Sequence, residues 1–279
     1  ARVARSHVRV GTFEYFAARG DTGSVRELAD YVIWRHYPDL AGSAEPYAEL
    51  LRAVRDRQAS LISEWLGVGF IHGVMNTDNM SIAGETIDYG PCAFMDHYDP
   101  ATAFSSIDVG GRYRYDNQLR IAQWNLARFA ETLLPLLNED HETAVKQATE
   151  IVEAFWDRAE VCWLAVMQRK LGLQESRSGD RELVTQLFTL MQKAQADFTL
   201  TFRRLASAAE ADDPAQPLSD LLGNTSDLES WIIAWRQRLA DENISPKAAA
   251  EGLRRTNPAI IPRNHCVEHA LAAAVTDGD

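Results

Sequence analysis

Apolar residues recur at helical spacing over most of this chain, and this pattern limits the folds that the sequence can adopt. Leu50, Leu51 and Val54, for example, follow one another at three- and four-residue spacing and mark one buried helix face. Stripes of this kind predict five long helices, over about residues 24–37, 43–65, 117–137, 142–171 and 181–205. A capping box formed by Ser24 and Glu27 is expected to begin the first of them. The sequence therefore predicts a mainly α protein.

Glycine is concentrated in the one region where the helical pattern stops. Seven of the sixteen glycines fall between residues 67 and 114, where they exclude a continuous helix. Within this region, residues 80–82 and 86–88 flank Ala83-Gly84-Glu85, which predicts a tight β-hairpin. Because function commonly lies in irregular loops on a rigid frame, we expect the site here.

Three side chains that can offer oxygen ligands flank the predicted hairpin, namely Asp78, Asn79 and Asp88. Pairing of the two arms would bring Asn79 and Asp88 close together at the open end. Such ligands suit Mg²⁺ or Mn²⁺, which takes one or two carboxylates and completes its shell with phosphate and water. The hairpin ends in Asp-Tyr-Gly, which is similar to the Asp-Phe-Gly metal loop of protein kinases, and His72 matches the start of a kinase catalytic loop.

Each of these residues also has a simpler structural interpretation. Asp78 and Asn79 favour turns and helix caps, and an isolated Asp-Tyr-Gly is common in loops. A histidine such as His72 is more often a hydrogen-bonded structural residue than a catalytic one. It is the order and close spacing of these residues, ahead of a mostly helical body, that favour a metal site.

One position departs from ordinary kinase chemistry. Kinase catalytic loops read His-x-Asp-x-x-x-x-Asn, in which the aspartate serves as the base toward the substrate hydroxyl. Aligning His72 and Asn79 with that pattern leaves Val74 at the aspartate position, and valine cannot accept a proton. The nearest candidate base is Asp78. The sequence therefore indicates a nucleotide and metal site with altered transfer chemistry.

Several longer runs resemble the selenoprotein O family. The main ones read GVMNTDNMSI at residues 73–82, TIDYGP at 86–91 and FMD at 94–96. Further matches outside this region are SHVRVGTFE at 6–14, GRY at 111–113, NQ at 117–118, WNL at 124–126, NP at 257–258 and RN at 263–264. The resemblance thus extends over nearly the whole chain.

The resemblance implies a specific activity and site. Members of this family have a protein-kinase-like fold and transfer AMP from ATP to protein hydroxyls, using a nucleotide bound in a flipped orientation. By resemblance, Asp78 is the proton acceptor, and Asn79 and Asp88 hold Mg²⁺ or Mn²⁺. Arg2 and Arg9 match two arginines that contact the ATP phosphates, and Asp88 is counted with them as nucleotide-binding. Guanidinium groups suit this role because their planar fork binds phosphate oxygens bidentately.

The resemblance also implies a domain organisation. Residues 1–279 would form a single kinase-like C-lobe, with an inter-lobe segment at 1–23, catalytic and metal loops at 67–114 and a helical body at 115–279. The family's N-lobe, with its glycine-rich loop and lysine, and its cysteine- or selenocysteine-containing tail have no counterpart here. The chain also begins without methionine. We therefore expect part of a longer enzyme, with weak ATP binding and little transfer by this chain alone.

The net charge and the lengths of the apolar runs indicate which classes of partner the chain can bind. Forty acidic against 28 basic residues give a net charge of −12, which argues against a general nucleic-acid binder. No apolar run reaches the roughly 18 residues of a membrane span. The expected partners are proteins that offer Ser, Thr or Tyr hydroxyls. The expected compartment is the bacterial cytoplasm, or the mitochondrion if the chain is eukaryotic.

Two other functions fit the same residues. A phosphotransferase that acts on a protein or a small molecule would use the same fold and metal ligands. A non-catalytic piece, either a pseudoenzyme or an isolated lobe, would only bind partners. The sequence does not indicate the oligomeric state.

Overall fold

The computed structural model describes residues 3–106 and 108–276, and within these ranges the chain is mainly helical, as predicted. The helices are α1 (Val10–Ala17), α2 (Thr22–His36), α3 (Pro46–Gly67), α4 (Gln118–Leu137), α5 (His141–Glu153), α6 (Phe155–Lys170), α7 (Asp180–Ala194), α8 (Phe198–Glu210), α9 (Gln216–Leu222), α10 (Ser226–Ala240), α11 (Pro246–Thr256) and α12 (Asn264–Thr276). Two short strands, β1 (Phe70–Ile71) and β2 (Ala93–Phe94), pair in antiparallel fashion, with Phe70 opposite Phe94.

The β-hairpin predicted within residues 80–88 is wrong. Ser81 in its first arm pairs in antiparallel fashion with Arg9 instead. The amide of Ile82 donates to the carbonyl oxygen of Val8 at 3.0 Å. The first arm is therefore paired with the N-terminal segment, and residues 86–88 form no strand.

Helix boundaries differ from the predicted ones where an aspartate side chain begins a helix or a left-handed residue ends one. The predicted capping box at Ser24 is wrong, because Asp21 caps α2 by accepting a hydrogen bond from the Ser24 amide at 3.0 Å. The helix predicted over 181–205 is interrupted at Gln195, whose φ of +48° ends α7. Asp197 then begins α8 by accepting from the Leu200 amide at 2.7 Å.

The described residues divide into two compact units. The first contains residues within 3–63, 72–91 and 105–162, and the second contains residues within 64–71, 92–104 and 163–276. All of the predicted site residues that the structure describes belong to the first unit. In the described part of the chain, every helix is too short or too polar to cross a bilayer.

The core of the first unit anchors the N-terminal helix. Phe13 of α1 is fully buried and meets the ring of Phe129 of α4 edge to face, with 4.9 Å between the ring centroids. Burying a side chain of this size contributes roughly 1.5–3 kcal/mol, and an aromatic pair adds to it. Helix α1 is therefore held firmly on α4, and the residues just before α1 are positioned with it.

The second unit contains a buried lysine among aromatic rings. Lys170 is 3 % exposed, and its Nζ donates to Oδ1 of Asn257 at 2.9 Å. The same Nζ lies 4.0 Å from the ring centroid of Phe202. Burial lowers the pKa of Lys170 from 10.5 to about 7, although the carboxylate of Glu64 acts in the opposite direction.

Candidate active site

The N-terminal segment is joined to the predicted catalytic segment by main-chain hydrogen bonds. The amide of Val10 donates to the carbonyl oxygen of Met80 at 3.0 Å, and the amide of Ile82 donates to that of Val8 at 3.0 Å. Between these two bonds, Arg9 lies opposite Ser81. The structure therefore brings Arg9 next to the segment that carries Asp78 and Asn79, although more than sixty residues separate them in sequence.

Asp78 is an exposed residue in the middle of a short 3₁₀ helix, Thr77–Asn79. Its carboxylate lies against the first turn of α1 at Gly11. A β-carbon built on Gly11 would lie 2.2 Å from Oδ1 of Asp78, so only glycine leaves room for the carboxylate in this position. The exposed end of the side chain can accept a proton from a hydroxyl group that approaches from solvent.

Asn79 is oriented by the preceding loop. Its Nδ2 donates to the carbonyl oxygen of Val74 at 3.0 Å, and its main-chain amide donates to the carbonyl oxygen of Asn76 at 3.0 Å. Because the NH₂ group of the side chain is used in the loop, Oδ1 is the atom that remains to act as a ligand.

His72 connects the two halves of the predicted site. It is fully buried, and its Nε2 lies 2.8 Å from the carbonyl oxygen of Ile87, the residue before Asp88. The amide of Val74 donates to Nδ1 at 3.4 Å, so the ring carries its proton on Nε2. Burial lowers the pKa of His72, although the Ile87 carbonyl and the Asp88 carboxylate act in the opposite direction. These contacts agree with a neutral, structural histidine.

At Asp88 the main chain adopts a left-handed conformation. Its φ of +59° is uncommon for a residue other than glycine, although aspartate tolerates this region better than most. At the start of the same loop, Gly73 has a φ of +82°, and a β-carbon there would lie 2.9 Å from the carbonyl oxygen of Pro91. The two ends of the loop thus lie against each other, and Asp88 is held near the His72 end.

Of the two arginines predicted to bind phosphate, the structure describes Arg9 but not Arg2. Arg9 is half-buried, and its Nε is inaccessible to solvent and has no hydrogen-bond partner among the described residues. Within those residues its guanidinium forms no ion pair, so an anionic ligand could compensate a charge that the described residues leave unpaired. Arg2 lies outside the described residues.

Two polar side chains of α4 that bind the main chain of the loop were not predicted from the sequence. Gln118 and Asn125 are fully buried, two turns apart on α4. Oε1 of Gln118 accepts from the His72 amide at 3.1 Å, and Nδ2 of Asn125 donates to the carbonyl oxygen of Met75 at 2.8 Å. Their spacing in the sequence could have indicated this role. Seven residues apart, both carboxamides fall on the apolar face of a helix, where polar residues are unusual.

A second set of side chains holds the turn that follows Met80. Nε2 of Gln58 donates to the Ser81 carbonyl oxygen at 2.7 Å. The Tyr37 hydroxyl donates to the Ile82 carbonyl oxygen at 2.6 Å. Nη1 of Arg57 donates to the Ala83 carbonyl oxygen at 3.2 Å. Gly84, with a φ of +69°, closes this turn beside Arg57. The loop that was predicted as a hairpin is therefore shaped by side chains of α3 and of the residue after α2.

The ligand set of the predicted metal site fits a hard divalent cation. Among the described residues, no three His, Cys, Asp or Glu side chains cluster as a metal centre. Asn79 and Asp88 would offer one amide oxygen and one carboxylate. Mg²⁺ commonly binds through one or two such groups and keeps phosphate oxygens and waters as its other ligands, so a protein-only cluster is not expected.

Comparison with known proteins gives the family. The family model described as "Protein adenylyltransferase SelO" matches residues 1–279. The chain belongs to the SelO family. This result confirms the resemblance found in the sequence.

Three similar curated proteins come from bacteria. A "Protein nucleotidyltransferase YdiU" of Rhizobium etli (strain CIAT 652) is 56% identical over 281 residues, covering 100% of this chain and 56% of the relative. The proteins of the same name from Rhizobium meliloti (strain 1021) and Bradyrhizobium sp. (strain BTAi1) are each 55% identical over 278 residues, covering 100% of this chain and 57% and 56% of the relatives. The chain therefore spans little more than half the length of these relatives.

Proposed function

We propose that this chain forms the catalytic C-lobe of a kinase-like protein adenylyltransferase. The observation that carries the proposal is family membership over the whole chain, together with an exposed Asp78 carboxylate beside the segment of Arg9. The mainly helical fold is consistent with a C-lobe. The bacterial origin of the relatives supports a bacterial protein, and we place its activity in the cytoplasm.

In the proposed reaction, a Ser, Thr or Tyr hydroxyl oxygen of a protein attacks the α-phosphorus of ATP. A new oxygen–phosphorus bond forms, the bond from the α-phosphorus to the bridging oxygen breaks, and pyrophosphate leaves. Asp78 accepts the hydroxyl proton. Positioned carboxylates of this kind typically contribute about 10²–10⁴-fold to a rate.

Arg9 and Arg2 bind the phosphates in this proposal. Arg9 suits this function, since its Nε has no hydrogen-bond partner among the described residues and its guanidinium would gain one when the triphosphate binds. Asn79 and Asp88 would hold Mg²⁺ or Mn²⁺, which neutralises phosphate charge when bound. His72 keeps its proton on Nε2 and ties the Asp88 end of the loop to the Asn79 end.

Labelled ATP tests the reaction. The protein at its natural length is incubated with a bacterial lysate as acceptor and with ATP labelled at either the α- or the γ-phosphate. Adenylyl transfer puts only the α-label on protein. A γ-label on protein would instead support a phosphotransferase activity, and absence of both labels would favour a non-catalytic role.

Substitutions locate the activity within the site. Asp78→Asn should lower α-label transfer about 10²–10⁴-fold, since the amide cannot accept the proton. Asp39→Asn is the matched control, because Asp39 is also an exposed aspartate in the middle of a three-residue 3₁₀ helix, Pro38–Leu40. Equal activity of the two variants would remove Asp78 from the mechanism. Asp88→Ala should also abolish transfer.

A further inference from the structure

The outward face of helix α4, opposite the buried side that contacts the loop, carries a stripe of basic and aromatic side chains. Gln118 and Asn125 point inward, whereas Arg120, Trp124 and Arg128 follow one another at four-residue spacing and form an outward stripe. Trp124 is 42 % exposed. Trp124 is one of three exposed tryptophans among the described residues, and tryptophan is enriched where proteins bind partners.

Two guanidinium groups lie against the Trp124 ring. The Cζ atom of Arg112 is 4.8 Å from the ring centroid, and that of Arg128 is 5.5 Å from it. Arg112 comes from the loop before α4, and its main-chain amide donates to Oδ1 of Asp108 at 2.7 Å. A side chain of that loop therefore contributes to the same surface as α4. We call Arg112, Arg120, Trp124 and Arg128 the Trp124 surface.

The charges of this surface are only partly balanced. Arg128 pairs with Glu131, but within the described ranges Arg112 and Arg120 form no ion pair with any carboxylate. This is notable in a chain with forty acidic against 28 basic residues. Elsewhere in the described structure, many arginines are paired, such as Arg5, Arg169 and Arg254. Two exposed cations beside an exposed indole thus remain available to a partner.

We propose that the Trp124 surface binds an acidic segment of the acceptor protein; its role in substrate selection rests on the proposed function. Carboxylates of the segment would pair with Arg112 and Arg120, and apolar parts of the segment would cover the Trp124 ring. Because the whole chain carries a charge of −12, attraction of an acidic segment has to be local. Screening over a Debye length of about 8 Å at physiological salt makes a local effect sufficient.

Peptide binding to the protein at its natural length tests this proposal. The probe is a short fluorescein-labelled peptide that alternates Glu and Ser around one Tyr, and its partner has Lys in place of Glu. Fluorescence anisotropy is measured without ATP at low and at physiological salt. We expect the Glu peptide to bind more tightly than the Lys peptide, with the difference shrinking as salt is added.

Variants assign the binding to the surface. Arg112→Gln, Arg120→Gln and Trp124→Leu should each weaken binding of the Glu peptide about threefold to tenfold. The matched controls are Arg255→Gln, which removes the same charge from a side chain that is 80% exposed, and Trp34→Leu, at a residue that is 69% exposed. Far-ultraviolet circular dichroism confirms that each variant is folded.

Three results would overturn the proposal. The surface variants and the controls could lose the same affinity for the Glu peptide, the Lys peptide could bind as tightly as the Glu peptide, or a labelled single-stranded oligonucleotide could bind more tightly than the Glu peptide. The test is independent of catalysis, because Asp78→Asn should leave peptide binding intact. Surface-dependent peptide binding without any AMP transfer would overturn the proposed function alone. AMP transfer with peptide binding that ignores Arg112 and Arg120 would overturn the surface alone.

Discussion

The imidazole of His72 donates from Nε2 to the carbonyl oxygen of Ile87, 2.8 Å away, inside a fully buried part of the first unit. This bond joins the beginning of the site loop to the residue before Asp88. We expect His72→Leu to lower the free energy of unfolding by about 1–3 kcal/mol, because the buried carbonyl loses its donor. His72→Gln, whose amide can still donate, should lose less. Urea unfolding followed by circular dichroism measures both, and equal losses would show that packing rather than the hydrogen bond matters.

Gly11→Ala should separate stability from activity. The new methyl group would lie 2.2 Å from Oδ1 of Asp78 and would have to displace that carboxylate, whereas alanine favours the helix by about 0.5–1 kcal/mol. We expect α-label transfer to fall at least about tenfold, with stability unchanged or slightly higher.

Gly23→Ala is the control for this experiment. Gly23 is the second residue of α2, as Gly11 is of α1, but its β-carbon would meet its nearest neighbour at an ordinary 3.6 Å. It should leave AMP transfer unchanged. A fully active Gly11→Ala protein would show that the carboxylate of Asp78 does not need this position.

Asn125→Leu should destabilise the protein and the site together. The substitution removes the donor to the Met75 carbonyl at 2.8 Å and to the Ile121 carbonyl at 3.0 Å. A buried carbonyl without a donor costs about 1–3 kcal/mol, which urea unfolding would detect. Asn224→Leu, at an exposed position, is the control. A neutral effect of Asn125→Leu would mean that the loop finds other support.

Lys170 predicts a pH dependence of stability. Its pKa is about 7 in the folded chain, below the ordinary 10.5, so the unfolded chain binds this proton more tightly. The free energy of unfolding should therefore rise from about pH 7 toward pH 10.5, by at most about 1.4 kcal/mol per pH unit, and this group should add no slope below pH 7. Lys170→Met should remove that rise. Lys193→Met, at an exposed lysine, should keep it.

The sequence predicted the helical class of the fold, because apolar spacing reports burial directly. It failed at the hairpin, where Gly84 and the flanking β-formers correctly indicated a turn. The competing partner was Arg9, whose segment pairs with Ser81 from a distant part of the chain. Local patterns carry no information about such a distant partner, so the register of this pairing could not be predicted.

The site was predicted in part for a similar reason. Asp78, Asn79 and Asp88 were found because their residue types and order follow a motif, and their roles remain predictions. Gln118 and Asn125 were overlooked, although each had been noted within a matching run. Their roles depend on which main-chain atoms lie beneath the helix, which only the folded structure defines.

The pairing of residues 8–10 with residues 80–82 has a consequence for how the protein acquires activity. These partners are at least seventy residues apart, so this closure carries a large entropic cost and contributes little until α1 has docked on α4. We therefore expect the site to assemble late in folding and to open early under mild denaturant. The amide protons of Val10 and Ile82 would then exchange with solvent sooner than those at the centre of α4.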